Sequence, residues 1–231
     1  MTLDLAMRWT ETLLAIALIM PGVEHIRAGG KERPLFGLRL ILCLLLLYPE
    51  IGAYSAWICL AMSGLAVLIL HRFEGPYNGG SDRMSLLILF CLTLAHWLPQ
   101  ENWKELAFGY LGLQLTLSYF ISGWVKIRNP DWRTGRALRD VFAFSAYPVA
   151  ENLRGLADRK TLLLAGSWLV MVCELLFPLS LASKYTLIPF LVLAASFHLS
   201  NAMFFGLNRF VLAWIAAYPS IIWLQDRFIG G

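Results

Sequence analysis

Residues Tyr119–Gly135 read YFISGWVKIRNPDWRTG, and the reading of the whole chain turns on them. The stretch begins as apolar helix, carries Lys126 where the apolar run ends, and breaks at Asn129-Pro130. It continues through Asp131, Trp132 and Gly135 into a basic segment. Counted back from Lys126 in fours, the helix presents Ser122, Ser118 and Gln114. Residues four apart share a helix face. A helix otherwise built of Leu, Phe, Tyr and Ile therefore carries one polar stripe that ends in a cation. Hydrocarbon offers such a stripe no partner, so it is expected to face other helices or a cavity.

The surrounding composition agrees with a membrane setting. Of 231 residues, 58% are hydrophobic and 15% charged, which is not the balance of a soluble domain. Apolar runs recur along almost the whole length, many near the ~20 residues that a bilayer core requires. The expected fold is all-α: a polytopic membrane helix bundle of about eight transmembrane helices, forming one domain over residues 1–231. The start does not read as a cleavable signal peptide, because Met1–Arg8 is mixed in charge and Ala15–Ala17 lies inside the apolar run. With no targeting segment evident, the expected location is a bacterial inner membrane, with the lipid bilayer as first partner. The net charge of +4 is read as cytoplasmic loops rather than a nucleic-acid surface, so no nucleic-acid partner is expected. Cys43, Cys59, Cys91 and Cys173 are isolated in apolar runs. No pair makes a C-x-x-C or metal-ligand spacing, so they read as packing residues and no metal is expected.

Helices are expected at Trp9–Val23, Leu35–Tyr48, Ile51–Leu70, Met84–Leu98, Trp103–Lys126, Thr161–Leu181, Thr186–Phe205 and Asn208–Leu224. Pro21-Gly22 is expected to kink or end the first. Pro49-Glu50 makes a tight reversal before the third, whose small residues Ala53, Ala56, Ser63 and Gly64 suit close packing. The loop His71–Arg83 is dense in turn formers, and within it Gly79-Gly80 permits a tight turn and Asp82 is placed to cap the next helix. In Ile127–Lys160, Arg133, Arg136 and Arg139 recur every three residues with Ala137, Leu138, Val141 and Phe142. That pattern predicts an amphipathic helix lying in the membrane interface. Loop charges put the basic connections in the cytoplasm and both termini outside.

Three polar positions carry candidate chemistry. Lys126 in a poorly hydrated pocket can serve as a general base; equally, it can end a helix and snorkel to the headgroups. His198 and Asn201 share a face of the seventh helix, where they can orient a substrate oxygen or pass a proton. The alternative is an interhelical hydrogen bond, worth ~0.6 kcal/mol on average. Glu174, inside a helix, is expected to pair with a cation such as Lys126 or His198, or to keep its own proton.

The motif YFISGWVKIRNPDWRTG resembles the S-G-x-x-K…W-x-x-G stretch of the horizontally transferred transmembrane domain, whose fold is shared with vitamin K-dependent gamma-glutamyl carboxylase. SFHLSNAMFFGLNRF is similar to the carboxylase stretch in which Phe-His is followed by Asn three residues after the His. The resemblance implies that Lys126 is the base that deprotonates a hydroquinone, with His198 also catalytic. It further implies a substrate site that includes Asn201, Glu174 and Trp132, to which the polar stripe adds Ser122 and Gln114. Two departures stand out: one extra residue separates Lys126 from Trp132, and a Gly/Ser/Asp run around Asn78, Asp82 and Arg83 replaces the carboxylase's Asn-His pair. No counterpart of the carboxylase's large extramembrane C-terminal region is found up to Gly231, so carboxylation of a peptide is not expected. The leading expectation is a carboxylase-like enzyme of the membrane that takes a quinol or another quinone-like lipid ligand. The alternative is a non-catalytic subunit that serves the maturation, export or assembly of a membrane or peptide partner.

Overall fold

A computed structural model describes residues 1–72, 80–144 and 151–229. Among these residues every regular element is helical. The order is α1 (Leu3–Ala28), α2 (Arg33–Leu47), α3 (Ser55–Arg72), α4 (Gly80–Trp97) and α5 (Glu101–Arg128). Then come the short α6 (Pro130–Arg133), α7 (Arg136–Phe144) and α8 (Glu151–Arg154), followed by α9 (Lys160–Leu176), α10 (Lys184–Phe205) and α11 (Asn208–Phe228). Among the described residues three segments are long and apolar enough to cross a membrane: Ser55–Arg72, Lys160–Ala182 and Lys184–Phe205. Their outward side chains suit lipid, since Trp57, Leu169 and Val192 are 61%, 62% and 58% exposed. In water, apolar exposure on that scale marks an interaction surface.

Several boundaries differ from the sequence pattern for identifiable reasons. Pro21 does not end the first helix; α1 runs on to Ala28, so Glu24, His25 and Arg27 are helical. Pro21 and Gly22 are buried, and burial of this face against tertiary neighbours outweighs the hydrogen bond that proline removes. The reversal after α2 is longer than a tight turn. Pro49–Tyr54 forms a 3-10 segment broken at Gly52, where φ is 32°, so α3 begins at Ser55 rather than Ile51. The Ser55 hydroxyl donates to the Gly52 carbonyl at 2.9 Å and braces this start. Within α3, Ser63 is buried and hydrogen-bonds Thr93 at 3.0 Å, whereas Gly64 is exposed. The side chain of Ala53 lies outside the described residues. At the next connection α3 extends to Arg72 and α4 is described from Gly80, with Asp82 in its first turn. Asn78 and Gly79 lie outside the described residues.

The chain forms two compact units, with the changeovers inside α5 and α11. The first comprises Met1–Leu113 and Leu212–Asp226. Its interior is aliphatic and aromatic, with Leu14, Phe36, Leu46, Met62, Ile88 and Trp223 fully enclosed. Arg8 ties two of its helices together by donating to the Leu46 carbonyl at 2.7 Å and the Tyr48 carbonyl at 3.0 Å. Those carbonyls belong to the C-terminal end of α2, where intrahelical partners run out.

The second unit comprises Gln114–Val211 and Arg227–Gly231. Here the predicted arginine ladder is interrupted. Thr134-Gly135 separates Arg133, in α6, from Arg136 and Arg139, in α7, because Gly135 adopts φ 74°. The α7 helix is amphipathic as expected. Its Phe142 is buried with Leu163 of α9 and Phe205 of α10, while Arg136 makes ion pairs with Asp131 and Asp140. The α6 turn is pinned to α9: the Ser167 hydroxyl donates to the Trp132 carbonyl at 2.5 Å, and the Trp168 indole to the Arg133 carbonyl at 3.1 Å.

Candidate functional site

Among its described residues the second unit holds two polar pairs on one face of α5, one part-buried and one buried. The first lies at the helix's C-terminal end. Lys126 Nζ donates to Glu174 Oε1 and Oε2, each at 2.7 Å, and to Ser122 Oγ at 2.5 Å. The Ser122 hydroxyl in turn donates to Glu174 Oε1 at 3.1 Å. An ammonium has three donors, and these contacts engage all three. The side chains of Lys126 and Glu174 are only 16% and 7% exposed. Trp132 completes the group, with Lys126 Nζ standing 5.3 Å from its ring centroid in cation–π geometry.

Two backbone features bring the charges together. Glu174 lies in the last turn of α9, just before the helix tightens into the 3-10 segment Phe177–Ala182. Gly123 lets α5 approach that turn, because a Cβ at this position would stand 2.8 Å from Leu175 N. Among the described residues Lys126, rather than His198, is the cation that partners Glu174.

The second pair joins Tyr119 to His198 of α10, with 2.9 Å between the phenol oxygen and Nε2. Both side chains are buried. The Tyr119 ring also stacks on Phe177 at 4.1 Å between centroids. Tyr119 and Lys126 are seven residues apart, which is about two turns or ~10 Å along the helix. Ser122 lies between them on the same face. The result is two sets of exchangeable protons along one face of α5, His198 with Tyr119 and Ser122 with Lys126 and Glu174.

The remaining predicted residues are not drawn into these groups. Ser118 folds back onto its own helix, donating to the Gln114 carbonyl at 2.7 Å, so Gln114 contributes backbone here and not its carboxamide. Asn201 sits one turn beyond His198 in α10, and its carbonyl accepts from Leu207 N at 3.3 Å at the helix end. Among the described residues its carboxamide makes no hydrogen bond to a side chain. Tyr119 and Gly123, both within the quoted motif, are the positions that the polar-stripe count passes over. Their signal was the helical spacing 119, 122, 123, 126 on one face.

A separate polar group occurs in the first unit, where Glu11, Cys59 and His96 converge from α1, α3 and α4. His96 Nε2 and Glu11 Oε1 are 2.5 Å apart, and Arg8 donates to Glu11 Oε2 at 3.2 Å.

A family model for the HTTM domain matches residues 98–225, more than half of the chain. The chain belongs to the HTTM domain family. Taken with the three candidate spans, it is an HTTM-domain membrane protein. No curated protein and no solved structure matches it. The HTTM match contains Lys126, Glu174, Tyr119 and His198 and leaves Glu11, Cys59 and His96 outside.

Proposed function

We propose that the second unit of this HTTM protein binds a lipid-soluble quinol, or another lipid bearing an acidic hydroxyl, and that Lys126 serves as its base. The observation that carries this reading is the Lys126–Glu174 pair, a charge couple whose carboxylate lies in the candidate span Lys160–Ala182 and which is joined by the Ser122 hydroxyl. In a poorly hydrated site the ionic and neutral forms of such a pair approach one another in free energy, because burial penalises both charges. Transfer of one proton from Nζ to the Glu174 carboxylate leaves a neutral amine beside a carboxylic acid. The amine then takes the hydroxyl proton of the ligand, giving an ammonium and an oxyanion. His198, held by Tyr119, orients the opposite end of the ligand, with Trp132 beside the base and the Asn201 and Gln114 carboxamides, which join neither polar group, as further ligand contacts. The same reading has about eight helices crossing a bacterial inner membrane as one functional domain.

A second reading has its own observation. The Lys126 ammonium is saturated by three acceptors, which is also what a purely structural ion pair requires. On that reading the HTTM unit is a non-catalytic subunit for maturing, exporting or assembling a membrane or peptide partner.

Mass spectrometry of lipids carried through gentle purification separates the two. A quinone or other small lipid enriched with wild type, and lost from both Lys126→Ala and His198→Ala, is the expected result. Equal lipid profiles for three equally stable proteins would sink the ligand-binding reading and favour the subunit.

A further inference from the structure

We propose that Glu11, Cys59 and His96 form a binding site for a thiophilic divalent metal ion, zinc in the first instance. One carboxylate oxygen, one sulfur and one imidazole nitrogen lie within 4.8 Å of one another. They come from three different helices of the first unit, at positions 11, 59 and 96. Glu11 and Cys59 are buried, and His96 is partly exposed. This mixture of oxygen, sulfur and nitrogen donors is the set that zinc takes, and three protein ligands leave a fourth position for water or another ligand.

The metal-free geometry is compatible with that role without being identical to it. Two ligands on one tetrahedral zinc stand roughly 3.3–3.8 Å apart, given bonds of ~2.0–2.3 Å. His96 Nε2 and Glu11 Oε1 are closer than this, at 2.5 Å, so they share a proton where a metal would sit. Binding puts the ion where that proton lies, the imidazole proton moving to Nδ1 so that neutral His96 ligates through Nε2, opens the pair by about an ångström, and releases the proton of the Cys59 thiol. Carboxylate and thiolate then balance the double charge of the ion, which matters in a poorly hydrated interior. Arg8 holds the other Glu11 oxygen at 3.2 Å and acts as an outer partner that fixes the carboxylate. Access is short. Cys59 is four residues into α3, about 6 Å from its start, and His96 is in the last turn of α4.

The test uses the full-length protein in detergent micelles, stripped with a chelator and titrated with Co²⁺ as an optical probe, alongside elemental analysis after zinc loading. Wild type is expected to bind stoichiometric metal. It should show a thiolate-to-cobalt charge-transfer band with the intense visible bands of a tetrahedral ion. Cys59→Ser should lose the charge-transfer band. Glu11→Gln and His96→Ala should each weaken binding at least ~10-fold, since even outer partners of a metal site cost that much. A variant with Cys43, Cys91 and Cys173 changed to Ala should keep the band, so a poorly folding Cys59→Ser does not leave the outcome open. No charge-transfer band in wild type at saturating cobalt, or its loss in the triple variant, would overturn the proposal. Either result would leave Glu11 and His96 as a carboxylate–imidazole hydrogen bond that joins α1 to α4.

Discussion

Gly123 and Glu174 meet with no room for a methyl group between them: a Cβ on Gly123 would lie 2.9 Å from Glu174 Cβ and 2.8 Å from Leu175 N. One of those atoms is backbone, so no side-chain rotation relieves the contact, and the helices themselves must separate. Gly123→Ala is therefore expected to destabilise the protein by ~1–3 kcal/mol, the usual cost of overfilling a packed contact. Because Lys126 is one turn further along α5, the same displacement should stretch its bonds to Glu174. Thermal unfolding in detergent measures the first effect, and loss of co-purified ligand measures the second. An alanine variant as stable as wild type would show that α5 and α9 do not pack this closely.

The Lys126–Glu174 pair itself calls for a double-mutant cycle. Removing one partner leaves a buried charge uncompensated, which costs ~3–5 kcal/mol; replacing both with apolar residues is often neutral or stabilising. With the Lys126 side chain still 16% exposed, the lower end of that range is expected. Lys126→Met and Glu174→Leu should each destabilise, and the double variant should recover most of the loss. Biological activity then separates the two functional readings. A structural pair predicts that the double variant works, and a catalytic base predicts that it is stable and inactive.

Which parts of this arrangement were legible in the sequence follows from how local each signal is. The polar stripe 114–118–122–126 could be read because helical periodicity is local, and a carboxylate in an apolar run demands a partner wherever it lies. Lys126 and Glu174 answer both expectations. The stripe then divides, since Ser118 satisfies itself on the Gln114 carbonyl, an outcome that spacing cannot distinguish from an outward-facing hydroxyl. Tyr119 reads as apolar because its ring is apolar, although its hydroxyl finds His198 79 residues away. Pro21 misled because a proline's local cost is visible in sequence while the packing that offsets it is not. Glu11, Cys59 and His96 gave no signal at all, since each stands alone in its own helix and only the assembly of three helices joins them.

The Tyr119–His198 bond yields a prediction that leaves packing intact. Tyr119→Phe removes one hydroxyl and preserves the ring that stacks on Phe177 at 4.1 Å. His198 is buried, so losing its partner should cost about 1–3 kcal/mol, the penalty for an unsatisfied buried polar group. If His198 orients a ligand, the phenylalanine variant should also retain less co-purified lipid than a control of equal stability. Wild-type stability in Tyr119→Phe would mean that the hydrogen bond does not form in the membrane.

Gly135 supplies the sharpest test of how α6 is held. Its φ of 74° is costly for a residue with a side chain, and a Cβ there would lie 2.9 Å from Leu164 Cα. Conformation alone predicts a penalty of about 1–2 kcal/mol for Gly135→Ala. The two causes can be separated, because asparagine tolerates left-handed backbone far better than alanine does, while its Cβ meets the same Leu164 backbone. The close approach predicts that Gly135→Asn is as damaging as Gly135→Ala. It also predicts that both loosen the Ser167 bond to the Trp132 carbonyl and move the Trp132 ring away from Lys126. Trp132 fluorescence, in a variant lacking the other tryptophans, would report that movement as a shift in emission. Recovery of wild-type stability by asparagine would instead assign the whole effect to φ and remove the α6–α9 contact as the element that positions Trp132.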